Sequence, residues 1–468
     1  MRKTKIICTL GPATEKNEML QELMLAGADV FRINMSHAEH AWVRDIVPRA
    51  RKFANDLEHP LAILLDTQGP AIRTGALAHA IELNPGDLLE LTVRGAKGEA
   101  AYSVDVNYDG LIDDVSLGNK ILIDNGLLQL VVMKKGKNRI LCKALTAGTL
   151  GSRRHINLPG VHVNLPPLTN KDLRDVDLGV ELAVDFVALS FARQTSDLEA
   201  LRKVLAEKEN KSTARIVAKI EEQSAVKQID EMIKTADATM VARGDLGIEC
   251  PMEELPIIQR RIVKRSLRIG KPVIVATHML ESMIVNPVPT RAEITDVANA
   301  VFEQADGIML SGETSMGRYP VECVKVLDRV ARRIERSGGA GFSRDAILEN
   351  LRQKTVASAV VLANSLPNAK LIVFTRHGTM ARYVANMRPE HAPIFAFTPS
   401  ESVYRQLALC WGTAPVRLDF TADPNGNITA AENYLRVQRL SRDGDNLVII
   451  SDTQSGDAMV DCVQLRKA

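Results

Sequence analysis

Cysteine is scarce and unpaired in this sequence: six thiols, Cys8, Cys142, Cys250, Cys323, Cys410 and Cys462, stand far apart among 468 residues. Structural metal sites and disulfide frameworks need paired spacings, so neither is expected, and a reducing compartment follows. An excess of either charge is missing as well, because 59 Lys and Arg face 57 Asp and Glu, for a formal net charge of +2. That balance cannot steer a polyelectrolyte, which argues against a nucleic-acid or membrane-surface partner and makes any anion site a local feature. No apolar run approaches the ~20 residues that span a bilayer. The opening residues MRKTKIICTLGP pass directly into a β-branched stretch and a Gly-Pro turn, too short and too broken for a secretory core. The expectation is a soluble, cytoplasmic protein. With 46% hydrophobic and 25% charged residues, the chain has material for more than one core, so two or three domains are expected.

What is present is a recurrence of short Val, Ile and Leu runs: Lys5 to Thr9, Val30 to Asn34, Ala62 to Thr67, Phe186 to Phe191, Arg215 to Glu221, Ala238 to Asp245, Pro272 to His278 and Gly307 to Glu313. Continuous apolar runs separated by amphipathic stretches are the pattern of parallel strands covered on both faces by helices. These eight runs, spaced except once by two to three dozen residues, fit the repeat of a closed (βα)8 TIM barrel. The exception lies between Thr67 and Phe186, where segments such as GDLLELTVRG and NKILIDNGLLQLVVMKKGKNRILCKAL read as hairpins. An all-β insertion on the third βα loop accounts for them, beside the carboxyl ends of the barrel strands and placed to close as a lid. After a helix near Val321 to Arg336 and a Gly and Ser linker, SGGAGFS, alternating helices and strands predict an open α/β domain. The expected division is a barrel over 1–69 and 170–340, a lid over 70–169 and a C-terminal α/β domain over 345–468.

Polar residues gather at the ends of the barrel runs: Arg32 and Asn34, Asp66 and Thr67, Lys219 and Glu221, Arg243 and Asp245, Thr277, Ser311 and Glu313. In a barrel all of them are expected to point into one mouth, where so many buried charges need a ligand or metal to organise them. Glu221 and Asp245 suit magnesium, which takes few protein oxygens and completes its shell with water and phosphate. Lys219, two residues before Glu221, shares its side of the strand, and Arg32 and Arg73 add forks that match phosphate. Metal, lysine and arginines around one point are the equipment of phosphoryl transfer. In ARGDLGIE, Gly244 is expected just before a helix start, where free N–H groups could hold a small carboxylate.

Taken in order, TKIICTLGPAT, FRINMSH, LLDTQGPAIRTG, INLPG, VAKIE, MVARGDLGIE, VATHMLESM and the long segment from Asn286 to Glu322 resemble the pyruvate kinase family over nearly the whole chain. The resemblance implies barrel, lid and C-terminal domain, usually assembled as a homotetramer, with phosphoenolpyruvate and ADP as substrates. It implies Lys219 as the phosphoryl-stabilising lysine and Glu221 and Asp245 as magnesium ligands. The substrate carboxylate would meet the N–H groups of Gly244 and Asp245 and the hydroxyl of Thr277. Arg32 and Arg73 would contact the moving phosphoryl and the nucleotide phosphates, with Asn34, His37 and Arg154 at the nucleotide end. Asn34, Ser36, Asp66 and Thr67 match the family's potassium site.

Gln68, Ala71, His278 and Arg154 depart from the usual residues, as does Met380 where effector-regulated members carry Ser or Thr. Ala71 bears on potassium, since the family places Glu there or, in potassium-independent members, Lys. A phosphorylated effector is expected at Thr375, Arg376, His377, Gly378 and Thr379, which follow strand LIVFT and open a helix. Two rival readings use the same residues. An aldol lyase would share Glu221 and Asp245 but has no use for Arg73 or a lid. A silent sensor of phosphoenolpyruvate would not need Lys219, Glu221, Asp245 and Thr277 intact.

Overall fold

The computed structural model describes residues 1–208, 212–455 and 458–468. Eight parallel strands close a barrel: β1 (Lys5–Thr9), β2 (Val30–Asn34), β3 (Ala62–Asp66), β4 (Phe186–Leu189), β5 (Arg215–Ile220), β6 (Ala238–Ala242), β7 (Val273–Ala276) and β8 (Gly307–Leu310). Each strand pairs with its sequence neighbours and β8 returns to β1, with Lys5 opposite Gly307. The strands are apolar throughout because both faces are covered. Alternate residues such as Ile7, Val30, Leu64, Val217, Met240 and Ile274 fill the interior, and the others pack under the helical ring.

All eight runs form strands, but most of those strands end earlier than the runs do. The polar ends fall in loops and short helices: β6 stops at Ala242 and a helix spans Arg243–Glu249, while Gly312–Ser315 follows β8. Gly244 therefore lies inside the first turn of a helix, not ahead of it.

Between β3 and β4, a six-stranded sheet and a two-stranded sheet enclose their own core, with Leu89, Leu91, Ile121, Leu130, Ile140 and Cys142 fully buried. The C-terminal sheet has the order β11-β10-β9-β12-β13, from β9 (Lys370–Phe374), β10 (Ile394–Thr398), β11 (Thr413–Arg417), β12 (Asn446–Ser455) and β13 (Ala458–Lys467). It is parallel except for β13, which runs antiparallel to β12. That edge strand and the helix Pro424–Val437 are not anticipated from sequence. The helix opens on Asp423, whose carboxylate accepts from the N–H groups of Asn425 and Gly426, with Pro424 at the first turn.

No helix among the described residues is long and apolar enough to cross a membrane. All six cysteines are free thiols.

Candidate active site

Lys219 and Glu221 flank the end of β5 and meet on one side of the chain, with Lys219 Nζ 2.8 Å from Glu221 Oε1. The same ammonium lies 3.2 Å from Asp66 Oδ1 and donates to Ser190 Oγ at 2.7 Å. Arg32 closes the group from β2, its Nε 2.7 Å and Nη2 2.6 Å from Asp66 Oδ2. Asp66 is fully buried and Glu221 is 1% exposed, so all of these charges depend on one another. Burial works against the Asp66 anion, but Lys219 and Arg32 hold its carboxyl below the usual range. Burial likewise opposes the ammonium, yet Asp66 and Glu221 keep Lys219 above its ordinary value. Glu221 goes the other way: burial pushes it up to about 7, with Lys219 opposing and Asp245 reinforcing.

A second group stands at the ends of β6 and β7. The Gly244 N–H donates to Thr277 Oγ1 at 2.8 Å. Thr277 and His278 both have left-handed backbone, φ 68° and 55°, an uncommon state for any residue with a Cβ and a costly one for a β-branched residue. Arg243 holds the turn in place: its guanidinium donates to the carbonyls of Ala276 and Thr277 and pairs with Asp296 at 2.7 Å. A Cβ on Gly244 would sit 3.6 Å from Thr277 Oγ1 and 3.7 Å from His278 Nε2, ordinary contacts. The protein alone does not demand glycine there.

Two residues expected in the mouth are not free to act there. Arg243 is the clamp just described, and Glu313 accepts from the N–H groups of Leu280 and Ser311, fixing the loops after β7 and β8. Their spacing matched the others because backbone turns at strand ends need polar partners as much as ligands do.

The lid brings Arg73 and Arg154 to the same side. Arg73 Nη1 donates to the Arg153 carbonyl at 3.2 Å, and Arg154 pairs with Asp124 at 3.4 Å. His155, bridged to Arg73 in the lid, packs on the ring of Phe191 from the barrel, centroids 5.9 Å apart. Burial lowers its pKa, with Asp245 opposing and Arg73 assisting.

Asn34 and Asp66 are register partners on β2 and β3. Around them, Asn34 Oδ1 accepts from the Ser36 N–H at 3.2 Å, and Thr67 Oγ1 donates to Ala188 O at 3.1 Å. Ser36 and His37 are exposed on the loop beyond. Both Asp66 oxygens are already bonded to cations, so the cage holds no unpaired negative charge. In the C-terminal domain, Arg376 lies over the Phe420 ring at 5.1 Å, whereas Thr379 Oγ1 accepts from Arg382. Thr375 is buried, and Gly378 takes φ 76°.

Sequence reading missed Ser190 and Phe191. Ser190 Oγ joins Lys219, Asp66 and the Thr67 carbonyl, 2.7 Å away, and the Phe191 N–H donates to Glu221 Oε2 at 2.6 Å. The one available signal was the polar Ser190 within the apolar run FVALSF.

No cluster of three or more His, Cys, Asp or Glu side chains that could hold a metal occurs among the described residues. Magnesium does not need one, since two carboxylates plus water and phosphate complete its shell. The two oxygens of the buried Glu221 carboxylate are each met by one donor, Lys219 Nζ and the Phe191 N–H, which leaves each a further lone pair for such an ion.

A family model of the pyruvate kinase barrel domain matches residues 1–324, and one of the pyruvate kinase alpha/beta domain matches residues 353–464. The pyruvate kinase of Geobacillus stearothermophilus is 41% identical over 466 residues, 97% of this chain and 78% of the relative. That of Bacillus licheniformis is 43% identical over 424 residues, 88% of this chain and 71% of the relative. The crystal structure of a pyruvate kinase from Cryptosporidium parvum superposes with a TM-score of 0.94 at 33% identity, covering 100% of this chain and 96% of that one. With a closed barrel, an inserted β domain and a C-terminal sheet all in the matching order, the chain belongs to the pyruvate kinase family, and it is a phosphotransferase that carries the phosphoryl group of phosphoenolpyruvate to ADP.

Proposed function

We propose that the reaction takes place at the mouth of the barrel with Lys219 at its centre. The observation that carries this reading is the Lys219 ammonium, fixed between Asp66, Glu221 and Ser190 and backed by Arg32. In the reaction the bond between the phosphoryl group and the enol oxygen of phosphoenolpyruvate breaks, a bond to a terminal oxygen of ADP forms, and the enolate takes up a proton to become pyruvate. Lys219 and Arg32 are preorganised cations aimed where negative charge moves, so they neutralise it without reorganisation. Gly244, Asp245 and Thr277 receive the substrate carboxylate: the Thr277 hydroxyl and the Gly244 N–H bond each other without it and turn to it on binding. Arg73 and Arg154, carried by the lid, meet the nucleotide phosphates together with Asn34 and His37. Lid closure over the mouth keeps water from the phosphoryl group.

The family generally uses magnesium and potassium. Glu221 and Asp245 would hold magnesium, which when bound supplies charge neutralisation at the phosphoryl oxygens. Asn34, Ser36, Asp66 and Thr67 would hold potassium, with a requirement softened by Ala71 and by the paired state of Asp66. A phosphorylated effector at Thr375 to Thr379, a homotetramer and a cytoplasmic location complete the reading. The test is ADP-dependent pyruvate formation by the purified chain with and without a magnesium chelator, alongside Lys219→Met and Thr277→Ala. Full activity in chelator, or in either variant, would defeat the assignment. Light scattering gives the subunit count, and Arg376→Ala tests the effector turn.

A further inference from the structure

At the end of the barrel opposite the mouth, the C-terminal domain closes the floor, with Ala408 and Leu409 packed into the barrel's apolar interior. Beside that plug lies a cavity of about 190 Å³, bounded by the feet of β4 to β7 and by the helices Thr379–Asn386 and Glu401–Gln406. Its wall carries Arg215, Lys271 and Arg382 but one carboxylate, Asp237. Asp237 is already shared, 3.3 Å from Arg202 and 3.7 Å from Arg215. Among the described residues, Lys271 and Arg382 make no ion pair. Lys271 Nζ donates to the carbonyls of Lys234 and Ala236. Arg382 reaches the His377 carbonyl only at 3.4 Å and the Thr379 hydroxyl at 3.2 Å, and Arg215 competes for the same His377 carbonyl at 3.4 Å. Burial and the nearby Arg215 lower the pKa of Arg382. Lys271 is lowered by burial and, against Asp237, by Arg202, Arg382 and Arg215.

Three cations line this cavity against one carboxylate that is already shared with Arg202 outside it, an excess of positive charge that an added anion would balance. We propose that this cavity binds a small dianion of the phosphate-monoester class between Arg215, Lys271 and Arg382. The volume is below the roughly 300–1,000 Å³ of pockets for drug-sized ligands, so a phosphate with a short carbon stub fits and a nucleotide does not. Two guanidinium forks and an ammonium arriving from different elements match the several oxygens of such a group. The site differs from the outer face of the Thr375 to Thr379 turn, because two of its three cations belong to the barrel. Its location gives it leverage. Arg215 opens β5, which leads to Lys219 and Glu221. Asp237 precedes β6, which leads to Gly244 and Asp245, and Lys271 precedes β7, which leads to Thr277. An anion here ties the C-terminal domain to the feet of the three strands whose tips carry the chemistry.

Calorimetric unfolding of the full chain tests this, with chloride replaced stepwise by inorganic phosphate or by glycerol 3-phosphate at constant ionic strength. Anion entering the active site contributes equally to every protein compared, since none of the variants touches the mouth. The midpoint of the parent is expected to rise by several degrees, and the rise to be at least halved in Arg382→Gln and in Lys271→Gln, while Arg376→Ala, which touches only the outer face of the turn, keeps the greater part of it. A larger rise with glycerol 3-phosphate identifies an ester as the occupant, and equal rises identify free phosphate. Equal rises in the parent and both cavity variants would overturn the proposal. So would loss of the rise in Arg376→Ala alone, which would place the anion on the outer face of the turn.

Discussion

Replacing Lys219 by Met removes one ammonium and leaves a side chain of similar length. Three contacts disappear together: Glu221 at 2.8 Å, Ser190 at 2.7 Å and Asp66 at 3.2 Å. Taking one partner from a buried ion pair typically costs about 3–5 kcal/mol. Here the loss should fall at or under the lower end, for two reasons. Asp66 keeps Arg32 on its other oxygen, and Glu221, already pushed up to about 7, can take a proton and still accept from the Phe191 N–H. The fold is therefore expected to survive with a modestly lowered midpoint. Turnover is not spared. Loss of one preorganised group facing developing charge typically costs about 3–4 kcal/mol, a hundredfold to a thousandfold in rate. Because that charge develops only as the phosphoryl group moves, the loss belongs to kcat, with half-saturating phosphoenolpyruvate little changed. Pyruvate formation at saturating ADP, with circular dichroism as the check on folding, measures both. Lys219→Arg keeps the charge but spreads it over a planar fork that does not fit the three partners, so folding should return without full turnover. A folded Lys219→Met enzyme with more than a tenth of the parent's turnover would refute the role.

Ser190→Ala should lower turnover about tenfold with half-saturating phosphoenolpyruvate unchanged, because Ser190 holds Lys219 by a charge-assisted bond and touches no substrate in the proposed arrangement. An effect on half-saturation alone would contradict that. Burial, opposed by the Asn157 amide and reinforced by Asp245, raises Glu249 from 4.5 to about 7. The native state thus keeps a proton that the unfolded chain releases, and stability falls as pH rises from about 4.5 to about 7, by up to roughly 3 kcal/mol. Glu249→Gln should accordingly raise the unfolding midpoint above neutral pH and give no gain in acid; a gain independent of pH would show that charge is not the cause. For potassium, activation should be partial and require more salt than in Ala71→Glu, measured against tetramethylammonium at equal ionic strength. Saturation at low potassium, with almost no activity in its absence, would show that Ala71 has no bearing.

The strands of the barrel were legible because periodicity is a local property: a strand buried on both faces must be apolar along its length, as β3, β6 and β7 are. Lys219 and Glu221 could be paired from sequence for the same reason, since alternation alone places residues two apart on one side. Residue chemistry at the strand ends suggested Arg32, Gly244 and Asp245, and the family motifs added the expected role of Thr277. Tertiary structure decided what local pattern cannot express. Arg243 is expected from sequence in the mouth with its neighbours, yet because the chain becomes helical at Arg243 its guanidinium is spent on the carbonyls of Ala276 and Thr277. Ser190 gained its place only when β4 closed between β3 and β5, bringing Asp66 and Lys219 to its hydroxyl from residues far away in the chain. The gathering of Arg215, Lys271 and Arg382 around one cavity at the barrel floor likewise arises only where the C-terminal domain packs against the barrel. Sequence determines which side a residue faces within its own element, whereas charge neutrality, strain and the partners of a buried group are sums over everything that folding brings near.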